Sequence, residues 1–191
     1  MSKYQTKLAA TIAAYHMQYA RYRPRTIINV GVGRGHELGV WKHFFPKART
    51  IGFDPKPRPH WWKGEEYHQV ALGKETDWGV FCDRCSSLKC QDDGHAKVVV
   101  SIDKLDGMAH TLSAKGPHFL WMDCEGAEID VLEGATKVLK KTSWLSTECR
   151  NFEWDARHES KMNTWLNQHG YHPIYFIGDD VLFTNQEFKI V

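Results

Sequence analysis

Three carboxylates crowd one short stretch of this chain, Asp123-Cys124-Glu125-Gly126-Ala127-Glu128, directly after the apolar run Phe119-Leu120-Trp121-Met122. A carboxylate at the end of a buried strand can accept a proton from a hydroxyl group, or orient it. Asp123 and Glu125 are therefore candidate bases, and Glu148, closing the strand-like run Trp144–Glu148, can assist them. Helix capping is the alternative role for acids at such a turn, worth roughly 0.3–1 kcal/mol each. Glu128 reads as a residue of that kind.

A second constellation is Asn29-Val30-Gly31-Val32-Gly33-Arg34-Gly35, which follows the β-branched run Thr26–Val30. Helical spacing begins after it, at Leu38, Trp41 and Phe45. In open α/β sheets, ligands bind beyond the carboxyl ends of the strands. Glycines there let the backbone approach a ligand and adopt positive φ, and the following helix offers free amides to a negative group. A dinucleotide fingerprint needs a third glycine where His36 stands, so a pyrophosphate is disfavoured. The pattern suits an amino-acid-bearing nucleoside, with Asn29, Gly31, Gly33 and Gly35 at the amino-acid end. Asp54, ending the second strand-like run Arg49–Phe53, can bond both ribose hydroxyls and would repel a 2′-phosphate. Strand capping by Asp54 and simple chain reversal at the glycines are the competing readings.

The acidic segment Asp123-Cys124-Glu125-Gly126-Ala127-Glu128-Ile129-Asp130-Val131-Leu132-Glu133-Gly134-Ala135 resembles the signature of FkbM-type methyltransferases. Gln69-Val70-Ala71-Leu72-Gly73, Ser86-Ser87-Leu88 and Ser101-Ile102-Asp103-Lys104-Leu105 resemble further motifs of that family. With the glycine turn and Phe53-Asp54-Pro55, the likeness covers roughly residues 26–150. It implies a class I, Rossmann-like α/β fold and S-adenosyl-L-methionine as cofactor. It also implies contacts at Gly31, Gly33, Gly35, Asp54, Ala71 and the Asp123 turn, and O-methylation of a sugar or other small-molecule hydroxyl. Such a transfer needs oxygen, methyl carbon and sulfur in line, and removal of the hydroxyl proton. Two positions depart from the family pattern: Asn29 often aligns with Asp, and Trp121 with Lys.

Alternating strands and helices must position these groups. Tyr4, Leu8, Ile12, Tyr15, Tyr19 and Tyr22 fall on one helical stripe, so residues 3–22 read as an amphipathic helix packed on the sheet by that stripe. Further strands are expected at Tyr67–Leu72, Trp78–Cys82 and Lys97–Ile102. A helix is expected over Ala127–Lys141 and another over 157–168, with Gly170 as its C-cap. Tyr171–Ile177 and Val181–Thr184 read as a closing antiparallel hairpin. The whole predicts one α/β domain over 1–191: an N-terminal helix within 1–24, then a mostly parallel sheet with helices on both faces over 25–191.

Cys82, Cys85, Cys90 and His95 have a spacing that could hold one structural zinc. His60, Trp61 and Trp62 follow Asp54, where an adenine or a substrate could rest; core packing is the alternative. A net charge of +2 is too small a bias to imply a nucleic-acid partner. The expected partner is a small-molecule or saccharide hydroxyl compound, with a homodimer through the N-terminal helix also open. No apolar run approaches the length of a membrane span, and the first residues lack a signal-peptide pattern, so a cytoplasmic setting is the expectation. A nucleic-acid methyltransferase and a catalytically inactive cofactor-fold binding module are the rival functions. The Lys56–Lys63 loop motivates the first, and Asn29 with Trp121 the second.

Overall fold

The structure is a computed structural model and describes residues 3–82, 88, 97–110, 112, 116–149, 161–177 and 180–186. In chain order, α1 (Lys3–Tyr19) precedes β1 (Thr26–Val30), α2 (Leu38–Phe44), β2 (Arg49–Asp54), β3 (Glu66–Gln69) and β4 (Ala71–Leu72). Then come β5 (Asp77–Cys82), β6 (Lys97–Asp103), β7 (His118–Met122), α3 (Glu128–Glu133) and α4 (Thr136–Leu139). β8 (Thr142–Glu148), α5 (Lys161–Gln168), β9 (His172–Ile177) and β10 (Asp180–Thr184) complete the chain.

The main sheet has the order β3-β2-β1-β7-β8-β10-β9, and β4, β6 and β5 form a smaller sheet. Strands β3 to β8 of the main sheet run parallel, and β10 alone pairs antiparallel with both its neighbours. The expected hairpin is present, but its second strand inserts beside β8 and leaves β9 at the edge. All residues of β1, β7 and β10 are buried, as both-face coverage of a parallel sheet requires.

Register decides what meets at the sheet's carboxyl edge. Val30 pairs with Phe53 on one side and Met122 on the other, and Met122 pairs with Thr147. The next residues along these four strands are Gly31, Asp54, Asp123 and Glu148, so they stand in one row at that edge.

Two apolar layers hold the row in place. One face carries Ile28, Phe53, Leu120, Leu132, Leu145 and Phe183 among its buried residues. The other carries Ile27, Trp41, Phe119, Trp121 and Trp144 under α1 and α2. Trp41 meets Phe119 and Trp121 edge-on, at centroid distances of 5.0 and 5.3 Å, an arrangement the ring quadrupoles favour.

Several expectations are corrected. Helix α1 packs through Ala9, Ala10, Ala13, Ala14 and Met17, while Leu8, Tyr15 and Tyr19 of the expected stripe are exposed. Small residues let the helix approach the broad indole layer, and Tyr22, just past the helix, is the stripe residue that joins the core there. The single helix expected over Ala127–Lys141 is two short ones. A β-carbon at Gly134 would lie 2.0 Å from the Gly73 carbonyl oxygen, so the chain passes there without side chain. Asp106 then caps α4, accepting hydrogen bonds from the Lys137 and Val138 amides and the Thr136 hydroxyl. The expected third strand breaks at Val70, after which β4 joins the smaller sheet beside β6. No helix among the described residues is long and apolar enough to cross a membrane.

Candidate active site

The glycine turn leaves β1 with three left-handed residues, Gly31 (φ +75), Gly33 (φ +49) and Gly35 (φ +56). Two of them also lie against neighbours that leave no room for a side chain. A β-carbon on Gly31 would stand 1.9 Å from the Asp123 carbonyl oxygen, and one on Gly35 would stand 2.2 Å from the Trp61 ring. A β-carbon on Gly33 would meet the Gly31 carbonyl oxygen at 3.9 Å, an ordinary contact. The turn borders a crevice of about 290 Å³ at the carboxyl edge of β1, β2 and β7. That volume is at the low end of the range for small-molecule sites, roughly 300–1,000 Å³.

Asp54 crosses from β2 to the turn. Its Oδ2 accepts a hydrogen bond from the Gly33 amide at 2.9 Å, and its Oδ1 accepts one from the Lys56 amide at 2.8 Å. The carboxylate lines the crevice while remaining 6% exposed. Beyond it, Phe53, Val70, Ala71, Leu72, Phe81 and Leu88 give the crevice an apolar end suited to a flat base.

The opposite end is acidic. Asp123 and Glu125 line it, and Glu148 joins them, with carboxylate oxygens of the three within 4.8 Å of one another. Burial pushes the Asp123 carboxyl up to about 7, and the neighbouring Glu148 and Glu125 charges push the same way. An oxygen set of this kind could hold a hard divalent cation, or one member could serve as a base near neutral pH. Glu125 occupies a left-handed conformation (φ +52), a strained state for a residue with a side chain. Glu128 closes the turn by accepting hydrogen bonds from the Cys124 and Gly126 amides.

Sequence reasoning anticipated Gly31, Gly33, Gly35, Asp54, Ala71, Asp123 and Glu125 at one crevice, and the structure brings them together there. Glu148 is 5% exposed and joins the acids. Asn29 stands elsewhere: it is fully buried beneath the turn and donates its Nδ2 to Glu37 Oε1 at 2.5 Å. Glu37, which sequence reasoning passed over, lines the crevice in its stead. Thr6 of α1 was also missed, and Lys56, weighed in the sequence only for nucleic-acid binding, reaches the crevice with it.

The tryptophans after Asp54 serve packing. Trp62 is buried against Val32 and Leu38 and donates to the Glu66 carbonyl at 3.1 Å, and Trp61 covers Gly35. Of the residues with zinc-like spacing, Cys82 is buried at the end of β5. Cys85, Cys90 and His95 lie outside the described residues.

The sequence matches the Methyltransferase FkbM domain over residues 19–173. No curated protein matches it. Among solved structures, the 1,6-didemethyltoxoflavin-N1-methyltransferase of Burkholderia thailandensis, with bound 1,6-didemethyltoxoflavin and S-adenosylhomocysteine, is similar with a TM-score of 0.51 and 11% identity. The alignment covers 96% of this chain and 77% of that one. The MycE methyltransferase of the mycinamycin biosynthetic pathway, in complex with Mg and S-adenosylhomocysteine, gives 0.52 and 15%, covering 91% of this chain and 48% of its own. This chain therefore spans about half the length of that enzyme. At such identities the likeness speaks for the fold.

Proposed function

The chain belongs to the FkbM methyltransferase family, and on that premise we propose that it transfers a methyl group from S-adenosylmethionine to a hydroxyl group of a small molecule or sugar. The observation that carries this reading is the row formed by Gly31, Asp54, Asp123 and Glu148 at the carboxyl edge of four adjacent parallel strands. The crevice fits the donor: the left-handed glycine turn borders it with bare backbone, Asp54 lines it with a carboxylate suited to ribose hydroxyls, and apolar side chains line it beyond.

When bound, the donor supplies an electrophilic methyl group whose bond to sulfur breaks as the new carbon–oxygen bond forms. The protein's share is placement and proton removal. Gly31, Gly33 and Gly35 shape the floor, Asp54 anchors the sugar, and Ala71 borders the base. Asp123, with Glu125 and Glu148 beside it, receives the acceptor's proton. Its raised pKa leaves it basic enough to do so near neutral pH.

A panel of hydroxyl-bearing small molecules incubated with methyl-labelled S-adenosylmethionine tests the reading. Label recovered in an alkali-stable ether supports it. Label found only on nitrogen, or only in methyl esters, would overturn O-methylation of a hydroxyl. A second use of the acids is favoured by their convergence within 4.8 Å: a seat for a divalent cation that orients the acceptor oxygen. Activity abolished by chelation and restored by Mg²⁺ would select it over a base acting alone.

A further inference from the structure

Among the described residues four carboxylates line the crevice: Glu37, Asp54, Asp123 and Glu125. Three have a place in the reading above, at the sugar and at the acceptor. Glu37 has none, yet it is the most buried of the four, at 3% exposure. No cation stands beside it among the described residues, and an acid so buried without one is costly to the fold. It is also held deliberately. Asn29, fully buried on β1, spends its amide on Glu37 Oε1. The Asn29 Oδ1 has no hydrogen-bond partner among the described residues. A buried acceptor left without a donor is itself unusual, and the one bond the Asn29 side chain makes is the bond that holds Glu37 at the crevice.

The direction of the bound donor follows from the crevice. Its base belongs at the apolar end by Val70, Ala71 and Phe81, and its sugar at Asp54. The remaining amino-acid tail then extends toward β1, over the glycine turn, where Glu37 stands at the start of α2. That tail ends in an α-ammonium and an α-carboxylate. The Gly31, Gly33 and Gly35 amides already donate to the Phe53 carbonyl, Asp54 and the Val32 carbonyl, and the α-carboxylate is repelled by Glu37. The ammonium is the cation that Glu37 lacks among the described residues.

We infer that Glu37, aimed by Asn29, is the counter-ion of the cofactor's α-ammonium group. The inference rests on the cofactor reading above and adds to it a residue that specifies the amino-acid tail. Asn29 acts through Glu37: it is a positioning residue, not a direct ligand.

Calorimetric titration with two ligands tests this without turnover: S-adenosylhomocysteine, which has the tail, and 5′-methylthioadenosine, which lacks it. Loss of a hydrogen bond to a charged partner predicts that Glu37→Gln weakens S-adenosylhomocysteine by roughly ten-fold or more. Affinity for 5′-methylthioadenosine should stay within about two-fold, which also shows that the variant's crevice is intact. Asn29→Ala should weaken the first ligand by a smaller factor and spare the second. Equal losses for both ligands, or no loss for either, would overturn the assignment of Glu37 alone. Wild-type protein that binds neither ligand would overturn the cofactor reading with it.

Discussion

Gly31 and Asp123 touch backbone to backbone where β1 and β7 end. The Asp123 amide donates to the Val30 carbonyl at 3.0 Å, and the Asp123 carbonyl oxygen occupies the space a Gly31 side chain would need. This contact sets the glycine cradle directly beside the leading acid. It explains why a single residue type is admissible at 31, on steric grounds as well as through its φ of +75.

Gly31→Ala should therefore separate the two strand tips. Both the overlap and the left-handed backbone oppose the change, the latter by roughly 1–2 kcal/mol. Thermal denaturation should show a lower Tm, and binding of S-adenosylhomocysteine should fall steeply. A variant with wild-type Tm and affinity would contradict the close approach.

Asp54 is asked to hold a ribose while already holding the Gly33 and Lys56 amides. Asp54→Asn keeps an acceptor for one amide but removes the charge. Hydrogen bonds to charged groups contribute about 1.5–3 kcal/mol. Affinity for S-adenosylhomocysteine should drop roughly ten-fold or more, with 5′-methylthioadenosine falling in parallel because it shares the sugar. A loss confined to the amino-acid-bearing ligand would remove Asp54 from the ribose.

Asp123 makes the reaction pH-dependent. As a base it must be ionised, so kcat/KM should rise with pH and level off above about 7. Burial is the main cause of the raised pKa, and Glu148 and Glu125 add to it, so Glu148→Gln should move the inflection to lower pH. Stability runs the other way. Asp123 and Glu37, both raised to about 7, keep protons in the folded state that the unfolded chain has released near pH 4. Their contribution to stability is intact below pH 4 and is lost as pH climbs toward about 7. Denaturant titrations of wild type and Glu37→Gln across that window should show a shallower decline in the variant. Identical slopes would refute the shift at Glu37.

Glu125 carries strain together with a charge. Glu125→Ala removes the carboxylate and keeps a β-carbon at φ +52, whereas Glu125→Gly removes both. Both variants should lose activity if the carboxylate acts on the acceptor. The glycine variant should be the more stable of the two by about 1 kcal/mol. Chemical denaturation gives the order, and an alanine variant equal to or above glycine would mean that the turn relaxes without cost.

The chemistry-bearing turns were legible because each is local. Gly31 to Gly35 and Asp123 to Glu128 owe their recognisability to residue types within a few positions of one another. Glu37 carried a weaker signal, an acid just past the last glycine and eight residues from Asn29; its burial and its partner exist only once β1 and the turn fold together. Helix α1 shows the limit of periodicity. In the sequence Tyr4, Leu8, Ile12, Tyr15, Tyr19 and Tyr22 make the more conspicuous stripe, but of these Tyr22 joins the core, and it is the alanine face that fits close to the Trp41–Trp144 layer, closeness of packing being a property of the surface met.

By itself the sequence determined the alternation of strands and helices, the turn glycines and the acids that end the strands, since propensity and turn geometry act over short stretches. Tertiary structure decided strand order and register, and through them the meeting of Gly31, Asp54, Asp123 and Glu148, whose separation in the chain leaves no local trace. It also decided which face of α1 is buried and where Val70 diverts the chain to a second sheet. Those choices depend on contacts between distant segments, where shape and burial outweigh the preference of any single residue.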